Sequence, residues 1–522
     1  MNPVFDLVIQ NGKIFDGSGN APYFADLAIK DGKIAKIALG IEGGNTVIDA
    51  CGLAVSPGFI DSHSHSDSAI FTFPDMKEKI EQGITTAVAG QCGSSPAPLP
   101  VYYDKAADKP LGSYGNESEI LKTVGSFLKY ASQVPLGCHT AIFVGHGALR
   151  KAVLGMEDRA PTEEELEKMK ELLRDAMRGG AFGMSLGLYY APGSYAKTEE
   201  VIALAKVLRE EGGVLSAHIR AEGNGVLEAT AEFIRIVKES GVRGVHSHVK
   251  SSGKQNYGKI KTVLSMIDAA NAEGADIYCD VYPYVASHTS LSSTFVPRDL
   301  HANRMIVQNL KDPQKRERVK KFLIEQHGED DDFSWTLVVS AKNRPDCIGK
   351  TIPEIAKARS CDVYDAIFDI ITDSDNHANA CFFKMDEADV ETAIRYPRAM
   401  ICTDSGVARN ATTYHPRLRA SFPRAIGRYA RDKKLLPMPE IIRKVTSLPA
   451  SVYGLCGKGL LKEGYDADVC IFSEENLIDR AEYTDCTRKC EGLHYVIVSG
   501  QIAVENAIHN GKRCGKLLRK ER

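Results

Sequence analysis

Two histidines separated by one residue close the apolar run AVSPGFIDSHSHSD, residues 54–67. Alternate residues of an extended strand point to the same side, so His63 and His65 present two imidazoles to one point while Ser64 faces away. That is the geometry of a pair of metal ligands. A bare His-x-His equally describes two polar residues at a strand end. What weighs for a metal is that further His, Cys and Asp residues recur at the ends of similar apolar runs downstream: Cys92, His146, His218, His248 and Asp404.

These residues need a scaffold that brings distant strand ends together. After the His63 strand the apolar runs are GITTAVAGQC, HTAIFVGHG, AFGMSLGLYY, GVLSAHIR, RGVHSHVK, ADIYCDVYPY and RAMICTDSG, about eight in all. Helical periods separate them, such as PTEEELEKMKELLRDAMRGG, with Pro161 near its start, and EEVIALAKVLREEGG, which stops at Gly212. Strand and helix in alternation predict a parallel sheet with helical crossovers, and eight strands close a TIM-like (β/α)8 barrel. Active sites of such barrels lie at the C-terminal strand ends, where His65, Cys92, His146, Tyr190, His218, His248, Tyr284 and Asp404 fall.

The two chain ends read differently. DLVIQNGKIFDGSG, DLAIKDGKIAKIA and TVIDACGLAVSPG near the start, and DADVCIFSEENL and HYVIVSGQIAVENAIHNGK near the end, are short strands punctuated by Asn-Gly, Asp-Gly and Ser-Gly turns. Neither set is large enough alone, so residues 1–57 and 455–522 are expected to meet in one small β-sandwich around a barrel of residues 58–454. Residues 287–344, with the charged helical stretch NLKDPQKRERVKKFLIEQHGEDDDF, are too long for an ordinary connection and read as an insertion over the barrel mouth.

At 522 residues, 43% hydrophobic and 25% charged, with a net charge of -3, the chain gives no electrostatic case for nucleic acid or an anionic membrane. A small molecule is the expected partner. No segment is apolar enough to span a bilayer and the N-terminus lacks a basic-then-apolar leader, which predicts a cytoplasmic protein. Thirteen scattered cysteines suit reduced thiols better than a disulfide framework.

Taken together, the motifs resemble the amidohydrolase superfamily and, within it, the N-acyl-D-amino-acid deacylases. GFIDSHSHSD is similar to the superfamily's first-strand metal motif. AGQCGSSPAP, GLYYAPGSYAKTEE, SHVK, DVYPY, TDSG and HPRLRASFPRAIGRYAR resemble the deacylase subgroup, as do KVTSLPASVYGL and LKEGYDADVCIF. The resemblance implies one or two zinc ions held by His63, His65, Cys92, His218, His248 and Asp404. Cys92 would bridge two metal positions as a thiolate, with His218 and His248 completing the tighter one and His63, His65 and Asp404 the other. It implies hydrolysis of N-acyl-D-amino acids, with Asp404 taking a proton from water and returning it to the amine. Arg417 in HPR offers a planar fork for the substrate carboxylate, beside Lys250, Tyr190 and Tyr282. Subgroup members acting on acidic D-amino acids carry an arginine after the DVYPY-like strand. Here none occurs before Arg298, which argues against an N-acyl-D-glutamate preference.

Other histidines have blander readings. His139, His246, His288 and His301 are expected to be satisfied core or surface residues, while His146, by resemblance, points towards the site. Cys279 and Cys402 are expected to be small buried hydrophobes. Three alternatives stay open. A hydantoinase- or dihydroorotase-like cyclic-amide hydrolase normally bridges its metals with a strand-four lysine, which AFGMSLGLYY lacks. A mononuclear deaminase gives no reason for Cys92. A non-catalytic assembly protein on the same scaffold would have lost ligands, and a homo-oligomer is compatible with every reading.

Overall fold

The computed structural model describes residues 5–99, 117–409 and 411–521. Eight parallel strands form the central sheet: β1 (Phe59–Asp61), β2 (Ile84–Ala89), β3 (His139–Gly145), β4 (Gly183–Gly187), β5 (Val214–His218), β6 (Arg243–His246), β7 (Ile277–Val281) and β8 (Ala399–Ile401). Each pairs in parallel with its sequence neighbour, and all but the first residue of β6 and the second of β7 are buried. Strands covered on both faces can be apolar throughout, which is why these runs do not alternate. The eight strands are the eight apolar runs named from the sequence.

Closure between β8 and β1 is made just beyond the strand ends. Asp404 N donates to His63 O at 2.9 Å, and His65 N donates to Ser405 O at 3.0 Å. Beneath this seam Lys79 Nζ, fully buried, reaches Asp61 Oδ2 (3.0 Å), Thr403 Oγ1 (2.6 Å) and Ser405 O (2.6 Å). Asp61 Oδ1 in turn accepts from Thr403 N at 2.8 Å. A buried ammonium is tolerated here because every one of its donors has an oxygen.

The chain ends meet as expected, through backbone pairing. Strand Val469–Phe472 runs antiparallel to Ala54–Pro57, joining both ends in a nine-stranded sheet. Ile9, Leu27 and Val55 from the first end share one apolar core with Val469, Ile471 and Ile497 from the second. The expected C-terminal share, 455–522, needs one correction. The last residues leave this sheet for the barrel: Gly515 and Leu136 exchange backbone hydrogen bonds, Leu518 N donates to Thr140 O, and Lys520 N to Gly180 O.

The insertion is also longer than the expected 287–344. Strand Ala378–Phe382 lies between Ser287–Ser290 and Thr336–Ala341 in a three-stranded antiparallel sheet. Helices Pro313–His327, Ile352–Arg359 and Val363–Asp373 pack with it around Leu291, Phe295, Phe333, Ile367 and Phe382. The segment after residue 344 supplies half of that core, so the unit closes only at Phe382.

Candidate metal centre and substrate cleft

The strand ends deliver their polar side chains to one place. Cys92 Sγ lies 3.3 Å from His63 Nε2, 3.3 Å from His248 Nε2 and 3.7 Å from His218 Nδ1. Asp404 Oδ1 lies 3.1 Å from His65 Nε2 and 3.5 Å from His63 Nε2. One donor atom from each of His63, Cys92, His248 and Asp404 falls within 4.8 Å of all the others. All six residues expected as ligands are therefore brought together. The strand itself stops at Asp61, but the extended chain continues through His65, held by a parallel bridge from Ser64 to Ser405.

Backbone geometry aims these side chains. Cys92, His248 and Asp404 adopt φ of +52°, +36° and +47°, a left-handed region that costs a non-glycine residue on the order of 1–3 kcal/mol. Each sits where the chain turns off a strand end, and the three side chains meet there. Glycine makes room beside them: a Cβ on Gly187 would stand 2.1 Å from Cys92 O. His248 is fixed further by its backbone N–H, which donates to Asp280 Oδ1 at 2.5 Å. The other oxygen, Asp280 Oδ2, lies 3.6 Å from His63 Nδ1.

The charges suit a cation. Burial opposes ionisation of Cys92, yet the charges of His63 and His248 hold its thiol well below the usual range. Burial likewise opposes the charged form of His65, but its hydrogen bond to Asp404 and the nearby Cys92 raise it to about 9. Asp404 is held well below the usual carboxylate range, against burial, by Arg417 and the imidazoles. A thiolate and a carboxylate among four imidazoles form a mixed S, N and O donor set, which zinc accepts and calcium or magnesium does not.

A cleft of about 960 Å³ opens above these groups. The insertion builds one wall with His288, Thr289, Arg298, His327 and Phe382. Tyr190 lies in the cleft, its hydroxyl 3.2 Å from Thr289 Oγ1 and its ring 4.9 Å from that of His218. Arg417 is buried in the wall, donating from Nη1 to Asp404 Oδ2 at 2.7 Å and from Nη2 to His288 O at 3.3 Å. Tyr282 departs from the expected role of hydroxyl donor. Its hydroxyl turns to Met385 Sδ, 3.7 Å away, and its ring face lies 4.7 Å from the Arg417 guanidinium and 5.5 Å from Lys250 Nζ. It braces two cations by their attraction to its π face.

Several residues sit elsewhere than their motifs suggested. His146 does not face the site: its Nε2 lies 2.9 Å from Glu200 Oε1, and Arg150 completes a buried cluster. Tyr284 packs edge-on against His415 beneath the Arg424 guanidinium, outside the cleft lining. His288, expected to be an ordinary histidine, lines the cleft against Tyr414, and burial pushes it down to about 3. Arg298 also reaches the cleft, over the Tyr189 ring at 5.3 Å, so separation along the chain did not keep an arginine away.

Asp280 and Glu222 escaped the sequence reading. Asp280 was visible only as part of DVYPY. Glu222, four residues after His218, lies 2.6 Å from Lys250 Nζ and 3.1 Å from His248 Nδ1. Against burial, the charges of His218 and Lys250 hold its carboxyl well below the usual range. The His-x-x-x-Glu spacing was the available signal, and it is weak outside a helix.

Comparison with known proteins agrees with this architecture. The profile described as Amidohydrolase family matches residues 46–256 and 400–504, which bracket the insertion. A D-aminoacylase of Alcaligenes xylosoxydans xylosoxydans is 35% identical over 515 residues, covering 98% of this chain and 97% of the relative. An N-acyl-D-glutamate deacylase of the same organism is 33% identical over 522 residues, covering 100% and 98%. The crystal structure of N-acyl-D-glutamate deacylase from Bordetella bronchiseptica, complexed with zinc and a phosphonate inhibitor that mimics the tetrahedral intermediate, superposes with a TM-score of 0.84. It is 31% identical, over 99% of this chain and 100% of that one. A barrel whose strand ends gather four histidines, a cysteine and an aspartate thus has full-length relatives of the same build, and the chain belongs to the amidohydrolase family.

Proposed function

We propose that this protein is a zinc-dependent deacylase that hydrolyses the amide bond of N-acyl-D-amino acids, releasing a carboxylate and the free D-amino acid. The observation that carries the reading is the convergence of His63, His65, Cys92, His218, His248 and Asp404 at the floor of a cleft large enough for an acylated amino acid. The full-length relatives named for this activity supply the substrate class. One or two zinc ions would be held by this set, Cys92, His218 and His248 supplying the ligands of the tighter position and His63, His65 and Asp404 those of the other. When bound, zinc acidifies a water and polarises an amide carbonyl.

The protein's own groups do the rest. Asp404, anionic and held beside Arg417, accepts the proton of the attacking water and passes it to the departing amine. Arg417 and Lys250, backed by the Tyr282 ring, form the cationic wall that receives the substrate carboxylate, and Tyr190 lines the same cleft. A cyclic-amide hydrolase is disfavoured because β4, Gly-Met-Ser-Leu-Gly, carries no lysine to bridge metals.

The test is a panel of N-acetyl-D- and N-acetyl-L-amino acids scored for amine release, with hydantoin and dihydroorotate beside it. Hydrolysis confined to the D series is expected. Turnover of the cyclic amides alone, or of the L series alone, would overturn the reading.

A further inference from the structure

The ring nitrogens of His218 and His248 that face Cys92 are Nδ1 and Nε2, at 3.7 and 3.3 Å. Their opposite nitrogens, His218 Nε2 and His248 Nδ1, turn the other way and face one oxygen, Glu222 Oε1, at 3.6 and 3.1 Å. His218 Nε2 is buried and has no hydrogen-bond partner among the described residues. Glu222 leaves β5 four residues after His218. Lys250 leaves β6 two residues after His248 and places Nζ 2.6 Å from the same Glu222 oxygen. Adjacent strands thus each contribute one histidine and one member of the ion pair behind it.

We infer, resting on the zinc reading above, that Glu222 is a positioning residue of the metal centre: its Oε1 holds the proton of His248 on Nδ1, 3.1 Å away, and its charge, 3.6 Å from the unpartnered His218 Nε2, favours the His218 tautomer protonated there. With those protons placed, each imidazole is neutral and presents its bare nitrogen on the Cys92 side. A ligating histidine commonly donates its second N–H to a carboxylate in this way, which fixes both tautomer and ring orientation. Glu222 is not a further ligand of the same ion, because its oxygen lies on the far side of both rings from Cys92. His218, Glu222 and His248 stand close enough to form a cation site of their own, but the Lys250 ammonium already lies against two of the three, 2.7 Å from His248 Nδ1 and 2.6 Å from Glu222 Oε1.

Lys250 also sets the competing explanation. An ammonium only donates, so His248 Nδ1 either accepts from Lys250 or gives its proton to Glu222. Deleting Glu222 alone would leave Lys250 buried without a counter-charge, and that charge by itself would repel a metal ion. The two effects are separable.

The experiment uses the full chain stripped of metal and titrated with cobalt(II) against a competing chelator, reading the thiolate-to-cobalt charge-transfer band. Glu222→Leu is expected to weaken cobalt binding by about ten- to a hundredfold, with the band at saturation unchanged per ion bound. Glu222→Gln, whose amide oxygen still accepts, should recover most of the loss. Glu222→Leu/Lys250→Met, which leaves no lone charge, should stay as weak as Glu222→Leu; it carries the test should the single variant fail to fold. Wild-type affinity in Glu222→Leu, or recovery in the double variant, would overturn the inference while leaving the ligand set standing. Wild-type protein without the charge-transfer band would overturn the Cys92 assignment and this inference with it.

Discussion

Arg417 donates from Nη1 to Asp404 Oδ2 across 2.7 Å, with both side chains buried in the lining of the cleft. The HPR arginine, expected to clamp a substrate carboxylate, is therefore also bound to the residue proposed to move the proton. Its two duties make separable demands.

Arg417→Lys keeps the charge and loses the planar fork. The variant should lower kcat/KM for N-acetyl-D-amino acids by one to two orders of magnitude more than for the matching decarboxylated amides. An unmade charge-assisted hydrogen bond costs roughly 1.5–3 kcal/mol, and only the first substrates have the carboxylate. Steady-state kinetics on the two series measure the difference. Equal losses would mean that Arg417 serves Asp404 alone.

Asp404→Asn preserves volume and removes the proton acceptor. Hydrolysis should fall on the order of 100-fold or more with the circular-dichroism spectrum unchanged, while the denaturation midpoint drops because buried Arg417 loses its counter-charge. Near wild-type turnover would show that another group carries the proton.

Cys92 Sγ touches His63, His218 and His248 alike. Elemental analysis of the wild-type protein should find about one zinc per chain or somewhat more, and Cys92→Ser far less, because a neutral hydroxyl is a poor zinc ligand. Full zinc content in Cys92→Ser would remove the thiolate from the metal centre.

Stability should fall on acidification for a reason remote from the cleft. Asp468, buried where the terminal sheet meets β3, accepts from Lys458 Nζ at 2.6 Å and lies 3.2 Å from His139 Nε2. Against burial, these two partners hold its carboxyl far below its ordinary 3.8, while burial chiefly lowers His139 from 6.5. Both shifts have the same sign. The unfolded chain takes up protons first, at His139 as pH drops through 6.5 and at Asp468 as it drops through 3.8, so the stability these groups contribute is present above those values and lost below them. Urea midpoints measured from pH 7.5 to 2.5 should decline, and the slope below pH 4 should be shallower in Asp468→Asn. Parallel profiles for both proteins would assign the decline to other groups.

The sequence by itself determined the eight barrel strands, the meeting of the chain ends and the six polar residues at the strand ends. Each has a local signature: apolar runs doubly buried in a parallel sheet, Gly-containing turns between short strands, and His, Cys or Asp where a run stops. What only the tertiary structure decided was direction and partnership. Tyr282 and Tyr190 look alike in sequence, yet one turns its hydroxyl to Met385 and the other to Thr289 in the cleft wall. His146 ends its strand like His218 and is drawn to Glu200 and Arg150, whereas His288, on no barrel strand, is carried back to the cleft by the insertion. Glu222 and Asp280 matter through atoms on neighbouring strands, and contacts between residues so far apart along the chain leave no periodicity to read. A strand end fixes where a side chain begins; which way it turns depends on neighbours that the fold alone supplies.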